Sequence, residues 1–99
     1  MRPIHIAELD KARPVVILTR ELVRPHLSRV TVAPITSTIR GLSTEVPVGR
    51  ENGIDHDSVI SCDNIVTVPA STLGRLIGYF LPEQEPALAE AIRAAFDLV

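Results

Sequence analysis

Short apolar segments recur along the chain, and most of them alternate with polar residues. The most apolar is the stretch 14–19, in which four consecutive aliphatic residues follow Pro14. A short continuous run of this kind is typical of a strand that is buried on both faces. Because proline can open a strand but is not tolerated in its middle, we expect Pro14 to begin this one.

Six other segments predict strands, because they alternate or are rich in β-branched residues. In the segment 29–36, Val30, Val32 and Ile35 lie among threonines. Its Pro34 predicts that this strand lies at a sheet edge or contains a bulge. The other five predicted strands cover residues 4–9, 43–48, 58–62, 65–68 and 76–81.

The connections between these strands are short and rich in residues that favour turns. Residues 20–25 predict a turn or a single helical turn, and Asp63-Asn64 predicts a kink between two strands. Residues 49–57 contain Asn52-Gly53 and scattered charges, which predicts an exposed loop. Since no helix separates the strands, a parallel sheet is not expected.

The last segment has the periodicity of a helix with one apolar face. Its apolar residues recur every three or four positions, at Leu88, Ile92, Phe96 and Val99, with Ala91 and Ala95 beside them. Pro86 fits only in the first helical turn. Many short strands with one C-terminal helix predict a mainly β fold of the α+β class, with a strongly bent antiparallel sheet or small barrel.

The composition sets limits on the size of the protein and on its location. The chain has 99 residues, enough for one domain over 1–99. It is 45% hydrophobic with three aromatic residues, and its mean hydropathy is +0.23. We therefore expect a homodimer that buries an apolar face. No segment resembles a membrane span or a signal peptide, so we expect no membrane partner and a cytoplasmic location.

The charges are unevenly distributed along the chain, although the net charge is only −2. Residues 1–50 contain eight basic and four acidic residues, whereas residues 51–99 contain two basic and eight acidic residues. The basic half could form a patch that binds phosphates. Two ordinary solvated faces would give the same distribution.

Most motifs for metal or cofactor chemistry are missing. The three histidines, His5, His26 and His56, are far apart, and a single cysteine, Cys62, accompanies them. No glycine-rich phosphate-binding motif is present. We expect no metal and no cofactor, and we interpret Cys62 as a small core residue rather than a nucleophile.

Arg13 is the strongest candidate for chemistry, because it lies at the opening of the most apolar strand. A permanently charged guanidinium held near solvent can bind an anion. Hydroxyls and an amide at other strand ends could join it, namely Thr36, Thr38, Ser58 and Asn64. The alternative is that Arg13 forms a surface salt bridge with Asp10 or Asp63.

Ordered blocks of this sequence resemble the MazF/PemK toxin family. They are Arg13-Pro14-Val15-Val16-Ile17-Leu18-Thr19, Val32-Ala33-Pro34-Ile35-Thr36, Asp57-Ser58-Val59-Ile60 and Asp63-Asn64-Ile65-Val66-Thr67-Val68. The resemblance covers nearly the whole chain. It implies an SH3-like barrel of the CcdB/PemK type with a C-terminal helix, and a homodimer.

The same resemblance implies an activity and a set of site residues. The expected protein is the toxin of a toxin-antitoxin system, a sequence-specific, metal-independent endoribonuclease that cleaves single-stranded RNA. A cognate antitoxin would inhibit it by placing its C-terminal peptide in the RNA groove. Arg13 and Thr36 match the family's catalytic pair. The predicted RNA-binding residues are Thr19, Thr38, Ser58, Asp63 and Asn64.

The implied reaction needs only groups of the substrate as nucleophile and leaving group. A ribose 2′-hydroxyl attacks the adjacent phosphorus and leaves a 2′,3′-cyclic phosphate and a 5′-hydroxyl. We assign Arg13 to charge stabilisation first, and to proton donation to the leaving oxygen second, because its high pKa makes it a poor base. Thr36 can donate to a nonbridging oxygen.

Two other functions remain open, and the first of them rests on a departure from the family. Only Asp10, Lys11 and Ala12 separate the first strand from Arg13, where many relatives have a longer loop. The first alternative is a relative without catalytic activity that binds only antitoxin or RNA. The second is a gyrase poison like the CcdB toxins, although this chain has no tryptophan and ends in Asp97-Leu98-Val99.

Overall fold

A computed structural model describes all residues, 1–99, as seven strands, one helix and five single 3₁₀ turns. The strands are β1 (Arg2–Glu8), β2 (Ala12–Ile17), β3 (Arg29–Thr36), β4 (Glu45–Val48), β5 (Ser58–Ser61), β6 (Val66–Pro69) and β7 (Leu73–Phe80), and the helix is α1 (Glu85–Phe96). Every predicted strand is confirmed, with ends shifted by a few residues. Short 3₁₀ turns at Arg24–His26 and Cys62–Asn64 occupy the predicted turn and kink.

All strand pairs are antiparallel, in the order β4-β5-β3-β2-β1-β7, and β6 also pairs with β3. The first half of β3, Arg29–Val32, pairs with β6, and its last residues, Ile35 and Thr36, pair with β5. The sheet therefore curls around β3 into a half-barrel. This confirms the predicted mainly β architecture with a C-terminal helix.

Of the two positions predicted for Pro34, a sheet edge or a bulge, the sheet edge is wrong. β3 has neighbours on both sides, and Pro34 itself pairs with Val15 of β2 and is buried. On its other side, the β6 pairing ends at Val32 and the β5 pairing begins at Ile35. A residue without an N–H is tolerated here because Pro34 lies in the gap between two partner strands.

Pro14 does not open its strand as predicted. It lies within β2, as the third residue of that strand.

The buried residues form two clusters on the two faces of the curled sheet. The larger contains Ile4, Val16, Ile60, Phe80 and Leu88, and it includes the buried Cys62 as predicted. The smaller is built from five residues, Ala7, Val15, Ile17, Val30 and Val32. Alternate residues of β2 thus enter different clusters, which explains its continuous aliphatic run.

The predicted apolar face of α1 is correct for four residues and wrong for two. Leu88 and Ala91 are buried, and Ile92 and Ala95 pack at the edge of the larger cluster. Phe96 is 55% exposed because it lies about 80° from Leu88 around the helix axis. Val99 is exposed because the helix ends at Phe96 and Asp97 has a left-handed backbone, with φ of 55°.

The prediction of an exposed loop over 49–57 is also wrong for two residues. Asn52 is fully buried and Ile54 is 6% exposed. The loop turns at Gly53, with φ of 80°, and its backbone approaches Gly78 of β7 so closely that a Cβ on either glycine would overlap the other segment. The tertiary packing of this loop against β7 overrides its polar composition. No helix of the structure is long and apolar enough to cross a membrane.

Candidate active site

Arg13 and Thr36 lie at the matching ends of two paired strands. Arg13 is the second residue of β2 and Thr36 is the last residue of β3. The register of these strands pairs Val15 with Pro34, and its continuation by two residues places Arg13 opposite Thr36. Directly opposed residues of antiparallel strands point to the same face, with Cβ atoms about 5 Å apart. The sheet thus brings the predicted catalytic pair together.

Two adjacent depressions share this pair of residues. One, of about 370 Å³, is lined by Arg13, Thr36, His56, Ser58 and Arg75, among others. The other, of about 380 Å³, adds Thr38, Asp63 and Asn64 to the same two residues. We call these depressions together the Arg13 groove. It contains both predicted catalytic residues and four of the five predicted RNA-binding residues.

The Arg13 guanidinium is only partly satisfied by its protein partners. Its Nη2 donates to Asp10 Oδ2 at 3.0 Å, which confirms the Asp10 salt bridge considered from the sequence. Its side chain is 24% exposed, and its Nε is buried without a hydrogen-bond partner. Asp63 instead accepts from the Thr44 hydroxyl at 2.7 Å. Only Nη2 of this partly exposed guanidinium has a hydrogen-bond partner, so Arg13 retains N–H donors that an anionic ligand could use.

The polar groups around Arg13 differ in what they can still donate. Thr36 Oγ1 accepts from the Thr38 N–H at 3.1 Å, so its own hydroxyl proton remains available. Ser58 is buried and donates to the His56 carbonyl at 3.1 Å, which makes it a support for the loop. Asn64 is exposed and donates to Ser61 Oγ at 2.8 Å, which leaves its carbonyl oxygen as an acceptor.

Thr19 is the one predicted site residue that the structure places elsewhere. It follows the opposite end of β2, and its hydroxyl accepts from the Thr31 N–H at 2.8 Å. Six residues of extended chain separate it from Arg13, or about 20 Å. It lines a separate depression with Arg20 and Arg24. The resemblance of residues 13–19 to the family did not reveal this separation, because the two ends of one strand lie at different sites.

The groove also contains charged residues that the sequence did not single out as site residues. Lys11, Arg40 and Arg75 are exposed at its walls, and none of them has an ion-pair partner within 4.0 Å. Glu45 holds the segment that carries Arg40 by accepting from the backbone N–H groups of residues 40–42. Only the basic character of residues 1–50 indicated such a patch, and Arg75 of β7 gave no local signal.

Two other kinds of chemistry depend on side chains that bind metal ions or on a free thiol. The structure contains no cluster of three or more His, Cys, Asp and Glu side chains placed to hold a metal ion. Cys62 lies next to the groove residue Asp63, but burial first, and the neighbouring carboxylate second, raise its pKa to about 11. A thiol protonated in this way is a poor nucleophile at neutral pH. The interpretation of Cys62 as a core residue is confirmed by its burial.

Comparison with known proteins identifies relatives along nearly the full chain. Residues 3–96 match the family described as PemK-like, MazF-like toxin of type II toxin-antitoxin system. The chain is 71% identical over 98 residues to endoribonuclease MazF3 of Mycobacterium tuberculosis, covering 99% of this chain and 95% of the relative. It is 44% identical over 79 residues to the probable endoribonuclease MazF5 of the same species, covering 73% and 70%.

Solved structures agree with this assignment and with the fold. The chain is 70% identical to the Mycobacterium tuberculosis toxin MazF-mt6, with a TM-score of 0.97 and 99% of each chain covered. An endoribonuclease from a mycobacterial species, solved with its cognate antitoxin, has the same fold at 24% identity, with a TM-score of 0.87. That match covers 98% of this chain and 93% of the other.

Proposed function

The chain belongs to the PemK/MazF family of toxins of toxin-antitoxin systems and is an endoribonuclease; from this premise we propose that it cleaves single-stranded RNA in the Arg13 groove without a metal ion. The observation that carries this proposal is the shared position of Arg13 and Thr36 between two polar depressions. A strand of RNA could lie across both depressions with its scissile phosphate at this pair.

The proposed reaction is attack of a ribose 2′-hydroxyl on the adjacent phosphorus, which leaves a 2′,3′-cyclic phosphate and a 5′-hydroxyl. Arg13 stabilises the charge that develops on the phosphoryl oxygens, and its partly exposed guanidinium, of which only Nη2 has a partner, supports this role. Thr36 donates its available hydroxyl proton to a nonbridging oxygen. Arg13 also supplies the proton for the leaving 5′-oxygen, since an alkoxide is more basic than a guanidine.

The second depression is the proposed place where bases are distinguished. Thr38, Asp63 and Asn64 present a hydroxyl, a carboxylate and an amide there, which together can donate to and accept from base edges. Lys11, Arg40 and Arg75 are positioned to attract the phosphates on either side. Sequence-specific cleavage follows from this division between base contacts and phosphate contacts.

We also propose a homodimer and an antitoxin as partners of this chain, in the cytoplasm where RNA is present. The dimer would cover some of the apolar side chains that the monomer exposes, which include Leu76, Tyr79, Phe96 and Leu98. The C-terminal peptide of the antitoxin would occupy the Arg13 groove. Only residues 9–11 connect β1 to β2, so no long loop stands between this groove and such a peptide.

The test is cleavage of a long unstructured RNA by the purified protein in EDTA, followed by mapping of the fragment ends. We expect discrete cuts with 5′-hydroxyl ends, which added antitoxin suppresses. Arg13→Ala should lower the rate on the order of 100-fold or more, because one preorganised donor at the developing charge is lost.

The control for this variant is Arg93→Ala, which removes an exposed arginine on α1 that pairs only with Glu90. It should cut like the parent. Cleavage by Arg13→Ala at the parental rate would show that the site is elsewhere. A requirement for added metal, or 5′-phosphate ends, would contradict the proposed chemistry.

A further inference from the structure

The proposed reaction lacks one participant, a group that accepts the proton of the attacking 2′-hydroxyl. Arg13 is unsuited to this role because its guanidinium is already protonated at neutral pH and cannot accept a further proton. Thr36 is a donor in the same step. An efficient base at neutral pH is a group that titrates near pH 7, which among side chains is typically an imidazole.

His56 is exposed in the same depression as Arg13 and Thr36. The other histidines are outside the Arg13 groove: His5 contacts the Gly74 carbonyl from β1, and His26 lies in the 3₁₀ turn Arg24–His26. We infer that His56 is the general base of RNA cleavage, an inference that rests on the proposed function of the groove.

The loop that carries His56 is held firmly, although its composition is that of a flexible loop. The buried Asn52 donates to the Tyr79 carbonyl at 2.9 Å and to Gln84 Oε1 at 2.7 Å. Its Oδ1 accepts from the Gly49 N–H at 3.2 Å. Its amide nitrogen therefore fastens the loop to the end of β7 and to the start of the helical segment, and its oxygen binds the loop's own Gly49.

Two contacts continue this anchoring up to His56 itself. Ile54 is buried in the larger core cluster, two residues before the histidine. Ser58, two residues after it, donates to the His56 carbonyl at 3.1 Å. The backbone is thus fixed on both sides while the imidazole stays exposed in the groove. A general base requires this kind of positioning, because proton transfer needs hydrogen-bond contact with the substrate.

The proton and bond changes are balanced by groups already present. The 2′-hydroxyl proton moves to the unprotonated imidazole nitrogen as the 2′-oxygen bonds to phosphorus. The bond from phosphorus to the 5′-oxygen breaks, and that oxygen takes a proton from Arg13. His56 then releases its proton to solvent and Arg13 regains one, so that both residues return to their starting states.

Four charged residues line this depression together with His56. Lys11, Arg13 and Arg75 are the cations, and Asp55 is the neighbouring carboxylate on the loop. Asp55 is the one rival for the role of base in this depression. They can be told apart by the pH dependence of cleavage, because carboxyl groups in general titrate well below the range of imidazoles.

The experiment measures single-turnover cleavage from pH 4.5 to 9 by the parent, His56→Gln and Asp55→Asn. The parental rate should fall toward acidic pH, because a protonated imidazole accepts no further proton. The cleavage rate of His56→Gln should be about 100-fold lower near pH 7.5 and should no longer fall toward acidic pH. Added imidazole should restore part of this rate. The cleavage rate of Asp55→Asn should still fall toward acidic pH, as that of the parent does. His26→Gln, the matched substitution of an exposed histidine outside the groove, should behave like the parent.

Binding of a 2′-O-methyl RNA, which cannot react, separates proton transfer from RNA binding. His56→Gln should bind this RNA with the parental Kd. If His56→Gln retains the parental rate and pH profile while Arg13→Ala is inactive, the role of His56 is overturned and the proposed function stands. Loss of the acidic fall in rate in Asp55→Asn, with that fall retained in His56→Gln, would also overturn it, and if the parent cuts no RNA both proposals fail.

Discussion

Arg13 and Cys62 are polar residues whose surroundings have opposite chemical consequences. The Arg13 guanidinium is partly exposed and only its Nη2 has a partner, so it can donate further hydrogen bonds to a phosphate oxygen. The Cys62 thiol is buried among apolar residues next to Asp63, and it avoids the cost of burial by remaining protonated. The first arrangement favours ligand binding, whereas the second favours inertness.

The raised pKa of Cys62 predicts a loss of stability in alkali. The unfolded thiol has a pKa near 9.0 and the folded thiol a pKa of about 11. The unfolded chain therefore releases the proton first, and the contribution to stability, present below pH 9, is lost as pH rises toward 11. We expect a loss of roughly 2 kcal/mol from this group. Denaturant unfolding at pH 8 to 11 measures it.

Other groups titrate over the same range, so Cys62→Ala is the reference for this measurement. The stability difference between the parent and Cys62→Ala should shrink as pH rises. A difference that stays constant would show that the thiol does not titrate as proposed. Slow alkylation of the folded protein at pH 8 is a second expected result, because both the burial and the raised pKa suppress the thiolate.

At the scale of elements, α1 depends on a narrow line of contacts with the sheet. Leu88 and Ala91 are buried, and Arg2 of β1 ties the start of the helix to the sheet by pairing with Glu85 at 2.9 Å. The side chains of Arg2 and Glu85 are 30% and 40% exposed. Their ion pair therefore contributes little to the free energy of unfolding beside the apolar contacts.

Truncation of the helix face should separate buried from exposed positions. Leu88→Ala removes a side chain that is 1% exposed and should destabilise the protein by about 2 to 5 kcal/mol. Phe96→Ala removes a larger side chain that is 55% exposed, and it should cost the isolated chain less than about 0.5 kcal/mol. Urea unfolding of the monomeric chain at low concentration compares them. Equal losses would place Phe96 in a packed environment.

At the scale of the whole molecule, the exposed apolar surface is the feature that a monomer does not explain. Eleven large hydrophobic residues are exposed, including Leu22 at 85% and Leu98 at 56%. Scattered exposed residues are ordinary, but this number is high for 99 residues with only three aromatics. It supports association with a second chain.

The corresponding prediction is that the protein sediments at twice its monomer mass of 10.8 kDa at micromolar concentration. Burial of apolar surface is the expected driving force, so the dimer should persist in high salt, where association through charged residues would weaken. Sedimentation equilibrium at low and high salt measures both. A monomer at all concentrations would contradict the prediction.

The amino-acid sequence by itself determined the elements of this protein. Alternation located the strands to within a few residues, and helical spacing located α1, because these periods follow from backbone geometry alone. The ordered family blocks indicated the toxin family, and that assignment is confirmed. Neither result depends on how the elements are arranged in space.

The tertiary structure alone decided which side chains share a site. The register of β2 and β3 brings Arg13 to Thr36, and the same strand carries Thr19 away from them. Packing against β7 converts the polar loop 49–57 into a rigid support that presents His56. Contacts such as these join residues far apart in the chain, and local patterns contain no information about them.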